Sequence, residues 1–443
     1  MTLVDSRWLR LLTLSSLYFA QGIPIGLLDI AMPAWLAAQG AAAGDIGVYA
    51  GVIGLPWAFK LIAGPFMDRF QFPPMGRRRP WVIAAQTGLL LALAGLAGVG
   101  AESDPGPPAL LALMVVGFLV NACAATQDVA VDGMAIDVVP EAERGRANAF
   151  MAFGQVLGYG VFAGISGTLL TQFGLGATAL AAALAVAAIL VLSVAARERA
   201  GERALPWTAG QAHPSFAPAP ASILALAGDL LRALVLPMSL LLTLVAFVTR
   251  VALGMGLVVA PVFAVRELGY GADSYSQVMA VVSAAAAVLG LLFGPLIDRA
   301  GARRALLLGL LSTAATLVLF AVTPALWTQP WYVLGLLFLN QVCGQVVFIA
   351  LIAQYMNMNW YRVAATQFAV YMALANLARS AGAGLYGGLA DLLDFAGVFL
   401  LMGGMLVLAA ALLVPFDATA HALRLERLGG QQREPQGAGN RAT

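Results

Sequence analysis

The sequence predicts an all-α integral membrane protein with about twelve transmembrane helices in two pseudo-symmetric six-helix halves. Three observations predict this fold class. Of the 443 residues, 61% are hydrophobic and only 10% are charged, and the mean hydropathy is +0.87. A soluble domain carries roughly 25% charged residues. The apolar runs reach the length of about 20 residues that a membrane helix needs, and one loop motif occurs once in each half. Lipid must therefore be the solvent for most of the chain.

Hydropathy and turn signals place twelve spans with polar segments between them. Spans 1 to 6 cover 10–37, 46–68, 81–100, 109–138, 147–171 and 176–196. Spans 7 to 12 cover 233–264, 275–297, 304–323, 331–357, 364–390 and 395–415. We therefore expect an N-terminal half at 1–196, a cytoplasmic linker at 197–232 that ends in a short surface helix, a C-terminal half at 233–415, and a cytoplasmic tail at 416–443, amphipathic at first and disordered beyond.

The placement of arginine predicts how the chain is oriented. The turns after spans 2, 4, 8 and 10 contain arginine, whereas the turns on the other side contain no lysine or arginine except Arg266. We call these two sides the arginine-rich face and the arginine-poor face. Because basic loops stay in the cytoplasm, the pattern predicts a multi-pass protein of the cell (inner) membrane with both termini in the cytoplasm.

A six-residue motif follows spans 2 and 8. It is Gly64-Pro65-Phe66-Met67-Asp68-Arg69 in the first half and Gly294-Pro295-Leu296-Ile297-Asp298-Arg299 in the second. An aspartate at the C-terminal end of a helix needs a cation to offset the helix dipole, and nearby arginines can supply it while contacting anionic headgroups. The motif therefore predicts a gating latch in each half, and it resembles the signature loop of the major facilitator superfamily. The predicted gating residues are Gly64, Asp68, Arg69, Arg77, Arg78, Gly294, Asp298, Arg299, Arg303 and Arg304.

Several ionisable residues lie within predicted spans, where they are costly unless they face a polar cavity. They occur on spans 1, 2, 4, 7 and 11, and spans 3, 6, 9 and 12 carry none between their ends. This partition predicts a central hydrophilic pathway. The residues are Asp29, Lys60, Asp128, Asp132, Asp137, Arg250 and Arg379.

The acidic residues of the first half are candidates for proton coupling. Asp128 and Asp132 lie one turn apart on span 4, so their carboxylates share a helix face. Two carboxylates this close in a low dielectric do not both ionise easily, so one of them can hold a proton. Asp29 is the third candidate. The alternatives are a structural network of the span 4 aspartates with Lys60, and a hydrogen bond from Asp29 to a neighbouring helix. Asp137 is expected to pair with nearby arginines.

The second half carries arginines instead. Arg250 and Arg379 are permanently charged, and a guanidinium binds carboxylate or phosphate through two parallel hydrogen bonds. They predict a clamp for an anionic solute, and the alternative is ion pairs between the halves that break during transport. Amides add a polar wall. The predicted solute contacts are Arg250, Arg379, Lys60, Gln127, Gln345 and Asn340.

Other function classes lack their sequence patterns. The sequence contains no nucleotide-binding loop, metal-ligand cluster or nucleophile elbow, so it predicts neither an enzyme nor a cofactor or metal. Cys123 and Cys343 lie within spans and predict no disulfide. His213 and His421 lie in hydrophilic segments and are not expected to be buried. The expected partners are a small-molecule solute, protons and the lipid bilayer, with no nucleic acid, and we expect a monomer.

Two segments carry a more specific resemblance. Span 4 contains Ala125-Thr126-Gln127-Asp128-Val129-Ala130-Val131-Asp132-Gly133, and span 2 contains Phe59-Lys60 before its loop motif. Together these segments resemble the peptide/acetyl-coenzyme A transporter family, which includes AmpG-type muropeptide permeases and acetyl-CoA carriers. The resemblance implies a proton-coupled symporter for an anhydromuropeptide, used in cell wall recycling. Two alternatives stay open: a carrier of acetyl-CoA-like or other organic anions, and a non-transporting sensor or assembly factor.

Overall fold

The structure, a computed structural model, describes residues 2–99, 107–140, 143–212, 223–360 and 363–430. It contains a helix for each predicted span. The first half comprises α1 (Arg7–Pro24), α2 (Met32–Ala38), α3 (Ala43–Gly54), α4 (Lys60–Arg69), α5 (Arg79–Val99), α6 (Pro107–Val138) and α7 (Arg144–Ala195). After it come α8 (Ile223–Leu234), α9 (Pro237–Arg266), α10 (Ala272–Ala300), α11 (Ala302–Val322), α12 (Pro330–Met358), α13 (Ala364–Leu389), α14 (Phe395–Leu413) and α15 (Ala418–Gly430).

Capping residues explain where several helices begin. The Ser6 hydroxyl accepts a hydrogen bond from the backbone N–H of Leu9 and starts α1. The Asp394 carboxylate accepts from Gly397 N–H at 2.8 Å and starts α14. Pro237 and Pro330 occupy the first positions of α9 and α12, where a missing N–H costs nothing.

Spans 1 and 2 are interrupted rather than continuous helices. In span 1 a π-helical segment, Ile25–Ala31, separates α1 from α2. In span 2 a 3-10 turn, Leu55–Ala58, separates α3 from α4. Broken helices in membranes occur where backbone is buried in protein or lines a cavity, so both interruptions point to the interior between the halves.

Spans 5 and 6 are the two arms of α7. The arms meet at Gly174, whose φ of 76° and ψ of −178° are not helical. A straight helix of 52 residues would extend about 78 Å, well beyond the bilayer core of about 30 Å. The chain reverses at Gly174 because a residue without a Cβ adopts a positive φ at no steric cost.

Eight helices of the described residues are long and apolar enough to cross a membrane. They cover every predicted span except 2, 8 and 11, with the two arms of α7 counted as one helix. Span 2 is too fragmented to qualify, since its pieces α3 and α4 have 12 and 10 residues. Spans 8 and 11 are α10 and α13, of 29 and 26 residues. Parts of both helices lie outside the residues whose side chains the structure describes.

The same helix pairs pack in both halves. In the first half span 1 packs on span 5, span 2 on span 4, and span 3 on spans 4 and 6. In the second half span 7 packs on span 11, span 8 on span 10, and span 9 on spans 10 and 12. Each pair in the second half is the first-half pair moved by six spans. The repeated packing agrees with the two-half architecture that the loop motif predicts, while the boundaries at 196 and 233 stay a prediction.

Glycine brings the central pair of each half into backbone contact. A Cβ on Gly158 of α7 would lie 2.3 Å from the carbonyl oxygen of Phe19 on α1. In the second half a Cβ on Gly254 of α9 would lie 2.1 Å from the carbonyl oxygen of Arg379 on α13. Small residues permit this close approach of membrane helices, so the core of each half depends on these positions.

The two halves touch most closely near the arginine-poor face. There α3 packs on α13, and a Cβ on Gly47 would lie 2.8 Å from the backbone nitrogen of Gly387. At the same face α7 packs on α10, where Gly167 lies against Ser276. Arg266 also donates a hydrogen bond to the carbonyl oxygen of Ala41 in the opposite half. The interior is therefore closed toward the arginine-poor face.

The tail and linker helices pack on the arginine-rich end of the second half. Leu425 of α15 and Ala233 of α8 are buried in one cluster with Trp360 and Val363. The prediction for His421 was wrong, because its ring is fully buried and lies 3.0 Å from the carbonyl oxygen of Met358. The amphipathic start of the tail folds back as α15, which carries His421 and buries its ring beside Met358. The predicted disorder beyond it, and His213, lie outside the described residues.

Candidate functional site

A cavity of about 370 Å³ opens between the halves and extends into the second half. Its polar end contains Asp29 from span 1 together with Arg250 and Arg379. Most of its remaining wall is apolar and belongs to the C-terminal half. Its size falls within the range of about 300–1,000 Å³ that is typical of small-molecule sites.

Asp29 and Arg379 form an ion pair across the two halves. The Arg379 guanidinium donates to the Asp29 carboxylate at 2.6 Å, and both side chains are largely buried. Span 1 presents Asp29 from its π-helical segment, and span 11 presents Arg379 beside the backbone of Gly254. For Arg379 this geometry matches the alternative prediction of an inter-half ion pair.

Arg250 has no such partner. Within the described part of the chain its Nε is buried without a hydrogen bond, and no carboxylate forms a salt bridge with the residue. Its guanidinium carbon lies 5.1 Å from the ring centroid of Phe348, which gives a cation–π contact. The residue is half-buried, and withdrawing a cation from water without a counter-ion is costly, so this guanidinium is suited to bind an anion.

Amides on span 10 line the same cavity. Asn340 donates to the Thr316 hydroxyl at 2.6 Å, and Gln341 donates weakly to Ser283 at 3.4 Å. The side chain of Gln345 makes no hydrogen bond to any other described residue, although it lines the cavity. Gln345 is therefore the amide that is available to a solute.

The acidic residues of span 4 lie in a separate cluster in the first half. Lys60 forms an ion pair with Asp128, which also accepts a hydrogen bond from Gln21 at 2.6 Å. One turn away, the Tyr18 hydroxyl donates to Asp132. Asp128 is buried and Asp132 is exposed.

The structure does not bring all predicted contacts into one pathway. Lys60, Asp128 and Asp132 are not part of the cavity wall, where Asp29 is the one acid among the described residues of the first half. Gln127 is fully buried and donates to the carbonyl oxygen of Leu17 at 2.7 Å. Its contact is therefore to the backbone of span 1 and not to the cavity. Arg250, Arg379, Gln345 and Asn340 do meet there.

The arginine-rich face is held by a carboxylate from the linker. Glu198 is fully buried and accepts backbone N–H bonds from Arg77, Arg78 and Arg79 at 3.0, 2.9 and 2.7 Å. The third donor is the first residue of α5 and the other two directly precede it, where a negative charge also suits the helix dipole. A Cβ on Gly76 would lie 2.8 Å from the Glu198 carboxyl carbon. The loop after span 2 is thus fixed to the linker.

The predicted gating residues differ in their surroundings. Arg77 and Arg78 lie 3.4 and 3.6 Å from the Asp137 carboxylate, as the sequence predicts for Asp137. Arg303 donates to the carbonyl oxygen of Val414, and Gly64 faces Val129. The gating role proposed for Asp68 and Asp298 depends on side chains that lie outside the described part of the structure, as does that of Gly294. Exposed side chains at this face are Arg69, Arg299, Arg303 and Arg304.

Sequence reasoning missed Tyr18, Gln21 and Glu198. Tyr18 and Gln21 lie three residues apart on α1, so they share a helix face. Two polar side chains at this spacing just before Gly22 could have been recognised in the sequence as candidates. The sequence offers no such signal for Glu198, because an acidic residue in a charged linker is usually solvated. Only the tertiary structure shows that it is buried.

Two six-span halves around a charged cavity, closed on one side, define a polytopic membrane transporter and not an enzyme. The chain belongs to the Major Facilitator Superfamily, whose family model matches residues 14–383 and 242–432.

Among relatives, the chain is 27% identical to the anhydromuropeptide permease of Escherichia coli K12 over 376 residues, which cover 82% of this chain and 70% of the permease. It is 31% identical to an uncharacterized protein of Haemophilus influenzae over 131 residues, 29% of each chain.

Solved structures share the fold. A crystal structure of a mutant of the nucleoside transporter NupG matches 92% of this chain and 99% of its own, with a TM-score of 0.69 and 15% identity. A second NupG structure matches 93% and 98%, with a TM-score of 0.65 and 14% identity. At this level of identity the likeness concerns the fold alone.

Proposed function

We propose that the chain is a proton-coupled transporter of an anionic solute, with an anhydromuropeptide or related glycopeptide as the first candidate. The name of its Escherichia coli relative suggests this solute. We further propose that it acts as a monomer in the inner membrane, with both termini in the cytoplasm. The closed arginine-poor face then corresponds to a state that opens toward the cytoplasm.

The observation that carries the anion is the environment of Arg250. Arg379 is neutralised by Asp29 across the interface. Arg250, in contrast, faces the same cavity without an acid from the described residues. Binding a carboxylate there replaces a half-buried unpaired charge with a charge-assisted pair, which is among the stronger hydrogen-bonded contacts in proteins. The free amide of Gln345 supplies a second polar contact.

The cluster around span 4 supports proton coupling. Protonation of Asp128 would release Lys60, and protonation of Asp132 would change its bond with Tyr18. Both changes alter how spans 1, 2 and 4 are held together, so a proton can bias the position of one helix against another. Asp29 is proposed as a third titrating group, because its partner Arg379 lies in the other half.

A second candidate is a carrier of an acetyl-CoA-like or other organic anion. The apolar walls of the cavity favour it, since a glycopeptide presents mostly polar groups. Both candidates place an anionic group at Arg250, so the same variant tests the shared part of the proposal.

The experiment compares uptake of a labelled anhydromuropeptide with uptake of its amidated, neutral analogue in proteoliposomes. In Arg250→Gln the affinity for the anion should fall about ten- to a hundredfold, from the loss of about 1.5–3 kcal/mol in charge-assisted hydrogen bonding. Arg250→Lys should also be impaired, because an ammonium lacks the planar fork. Arg427→Gln, an exposed arginine on α15, removes the same charge as a control. An unchanged preference for the anion in Arg250→Gln would contradict the proposal.

A further inference from the structure

The cavity has two chemically different ends. The end at Arg250 and Gln345 is polar, whereas the remainder is enclosed by hydrocarbon and aromatic side chains from spans 7, 9 and 12. The main apolar residues of this wall are Leu253, Leu257, Phe263, Leu317, Phe320, Phe399 and Met402. We call these seven residues the apolar compartment.

Aromatic packing makes the apolar compartment a formed part of the fold. Phe263 contacts the rings of Phe320 and Phe399 edge to face, with centroids 6.1 and 5.2 Å away. Phe320 and Phe399 also contact each other, at 5.5 Å. All three rings are at least nine-tenths buried. Because packing fixes the positions of these rings, a small rotation of one ring would not fill the cavity beside them.

The polar end of the cavity offers a charged contact, whereas this wall offers apolar contacts. The Arg250 guanidinium lies over Phe348, and its Nε is buried without a hydrogen-bond partner among the described residues. A hydrophilic solute that filled the whole cavity would satisfy Arg250. It would also place hydroxyl or amide groups against hydrocarbon, where they lose their hydrogen bonds to water without replacement.

We propose that the cavity binds an amphiphilic organic anion, with its charged group at Arg250 and an alkyl, acyl or aryl group in the apolar compartment. The inference rests on the proposed function, since it takes Arg250 as the anion contact, and it adds that the bound part of the solute is apolar. Each methylene removed from water raises affinity about fourfold. The compartment therefore discriminates between anions of equal charge.

The chain offers a matched pair of glycines on span 10 for a test. Gly344 lines the cavity, and a Cβ there would meet no atom within 4 Å. Gly335, on the same helix, also has open space around its Cβ but is exposed and does not line the cavity. A leucine at Gly344 fills the cavity, and a leucine at Gly335 faces outward.

The experiment measures binding of butanoate, hexanoate and octanoate to the full chain in lipid nanodiscs, with gluconate as a hydroxylated carboxylate and hexanamide as a neutral probe. In the wild type, affinity should rise about fourfold per methylene, and hexanoate should bind at least tenfold more tightly than gluconate. Gly344→Leu should lower the affinity for octanoate at least tenfold, and Gly335→Leu should leave it unchanged.

Two results would overturn the inference. One is equal binding of gluconate and hexanoate by the wild type, which needs no variant and so does not depend on the folding of Gly344→Leu. The other is an equal loss of octanoate binding in both leucine variants. Arg250→Gln separates the two proposals, since it should abolish the preference for hexanoate over hexanamide while the chain-length dependence remains. A preserved preference for hexanoate with a normal chain-length dependence would contradict the anion contact alone.

Discussion

At the scale of single residues, the ionisable side chains inside the spans divide into paired and unpaired groups. Lys60 with Asp128, and Arg379 with Asp29, are ion pairs, whereas Arg250 has no acid among the described residues. Breaking a buried pair costs about 3–5 kcal/mol, because one charge is left without compensation. The paired residues therefore hold helices to one another, and Arg250 is the residue left for the proposed contact with the solute.

Asp128→Asn should abolish accumulation driven by a proton gradient. The amide cannot take up a proton, and it leaves Lys60 without its counter-ion. Counterflow exchange, which needs no net proton movement, should survive better. The measurement is uptake into proteoliposomes with and without an imposed pH gradient.

Asp137→Asn is the matched control, because this aspartate lies on the same helix but pairs with arginines of the loop. Accumulation as strong in Asp128→Asn as in the wild type would assign the proton to another residue, with Asp29 as the next candidate.

The sequence predicted which ionisable residues line the cavity, but it did not predict which of them form ion pairs. Intramembrane charges are rare enough that Asp29, Arg250 and Arg379 could be identified without a structure. Which of the two arginines is neutralised depends on helix rotation and on how the halves meet, and hydropathy does not specify either. For the same reason Gln127 was predicted to contact solute, although it donates to Leu17 in the interior.

At the scale of elements, the junction between the linker and α5 is an N-terminal cap supplied from far along the chain. Glu198 accepts backbone N–H bonds from the first residue of α5 and from the two residues before it, and the first N–H groups of a helix have no partner within it. The cap fixes the end of the loop after span 2 to the segment that joins the two halves.

Glu198→Gln should lower the free energy of unfolding by about 2 kcal/mol, since hydrogen bonds to a charged acceptor contribute about 1.5–3 kcal/mol and an amide keeps one acceptor oxygen. Thermal or denaturant unfolding measures the change. Glu202→Gln is the control, because this buried neighbour accepts one N–H bond, from Arg199 at 3.0 Å. A loss no larger in Glu198→Gln than in Glu202→Gln would show that the cap is not important for stability.

The docking of α15 should depend on pH through His421. Burial lowers the pKa of His421, the charge of Arg424 lowers it further, and the hydrogen bond to Met358 opposes both. At pH values below the unfolded-state histidine pKa of about 6.5, the folded state therefore binds fewer protons than the unfolded chain. Stability from this residue is present above that pH and is lost as pH falls below it.

Hydrogen exchange of the α15 amides at about pH 7.5 and about pH 5.5, on either side of the unfolded pKa, tests this. Protection should decrease at the lower pH in the wild type and change little in His421→Gln, which retains a donor for Met358 without a titrating group. His213→Gln removes the other histidine as a control. An unchanged pH dependence in His421→Gln would assign the effect elsewhere.

At the scale of the whole molecule, the halves are related by packing that the sequence partly anticipated. The repeated loop motif predicted two like halves, and hydropathy placed all twelve spans. The interruption at Leu55–Ala58 was not predicted, because a 3-10 turn leaves the apolar pattern nearly unchanged. The sequence also did not predict which face of the molecule is closed, since closure depends on contacts between the halves.

Gly47→Leu should prevent closure at the arginine-poor face. Its Cβ would lie 2.8 Å from the backbone of Gly387 in the other half, and backbone cannot move aside without separating the helices. Uptake should be lost, while each half stays folded. The readout is labelling of Leu257→Cys, a cavity position, by an impermeant maleimide applied from the arginine-poor side of a chain whose native cysteines are replaced.

Labelling should be slow in the parent and fast in Gly47→Leu. Gly388→Leu, next to Gly387 but exposed and with open space around its Cβ, should behave like the parent. Slow labelling and normal uptake in Gly47→Leu would mean that the contact between α3 and α13 does not close the molecule.

The π-helical segment of span 1 gives Asp29 a way to leave its partner without any tilt of the halves. Pro33 has no N–H to donate to the Asp29 carbonyl four residues earlier. The Met32 N–H bonds to the Leu27 carbonyl, five residues back, which is the π-helical pattern. A π turn holds an extra residue compared with an α turn. Rewinding it to α-helix would turn Asp29 about the axis of span 1 by about 100°, one residue's share of a turn. The contact with Arg379 thus depends on the register of a single helix, and a one-residue slip would be enough to release it.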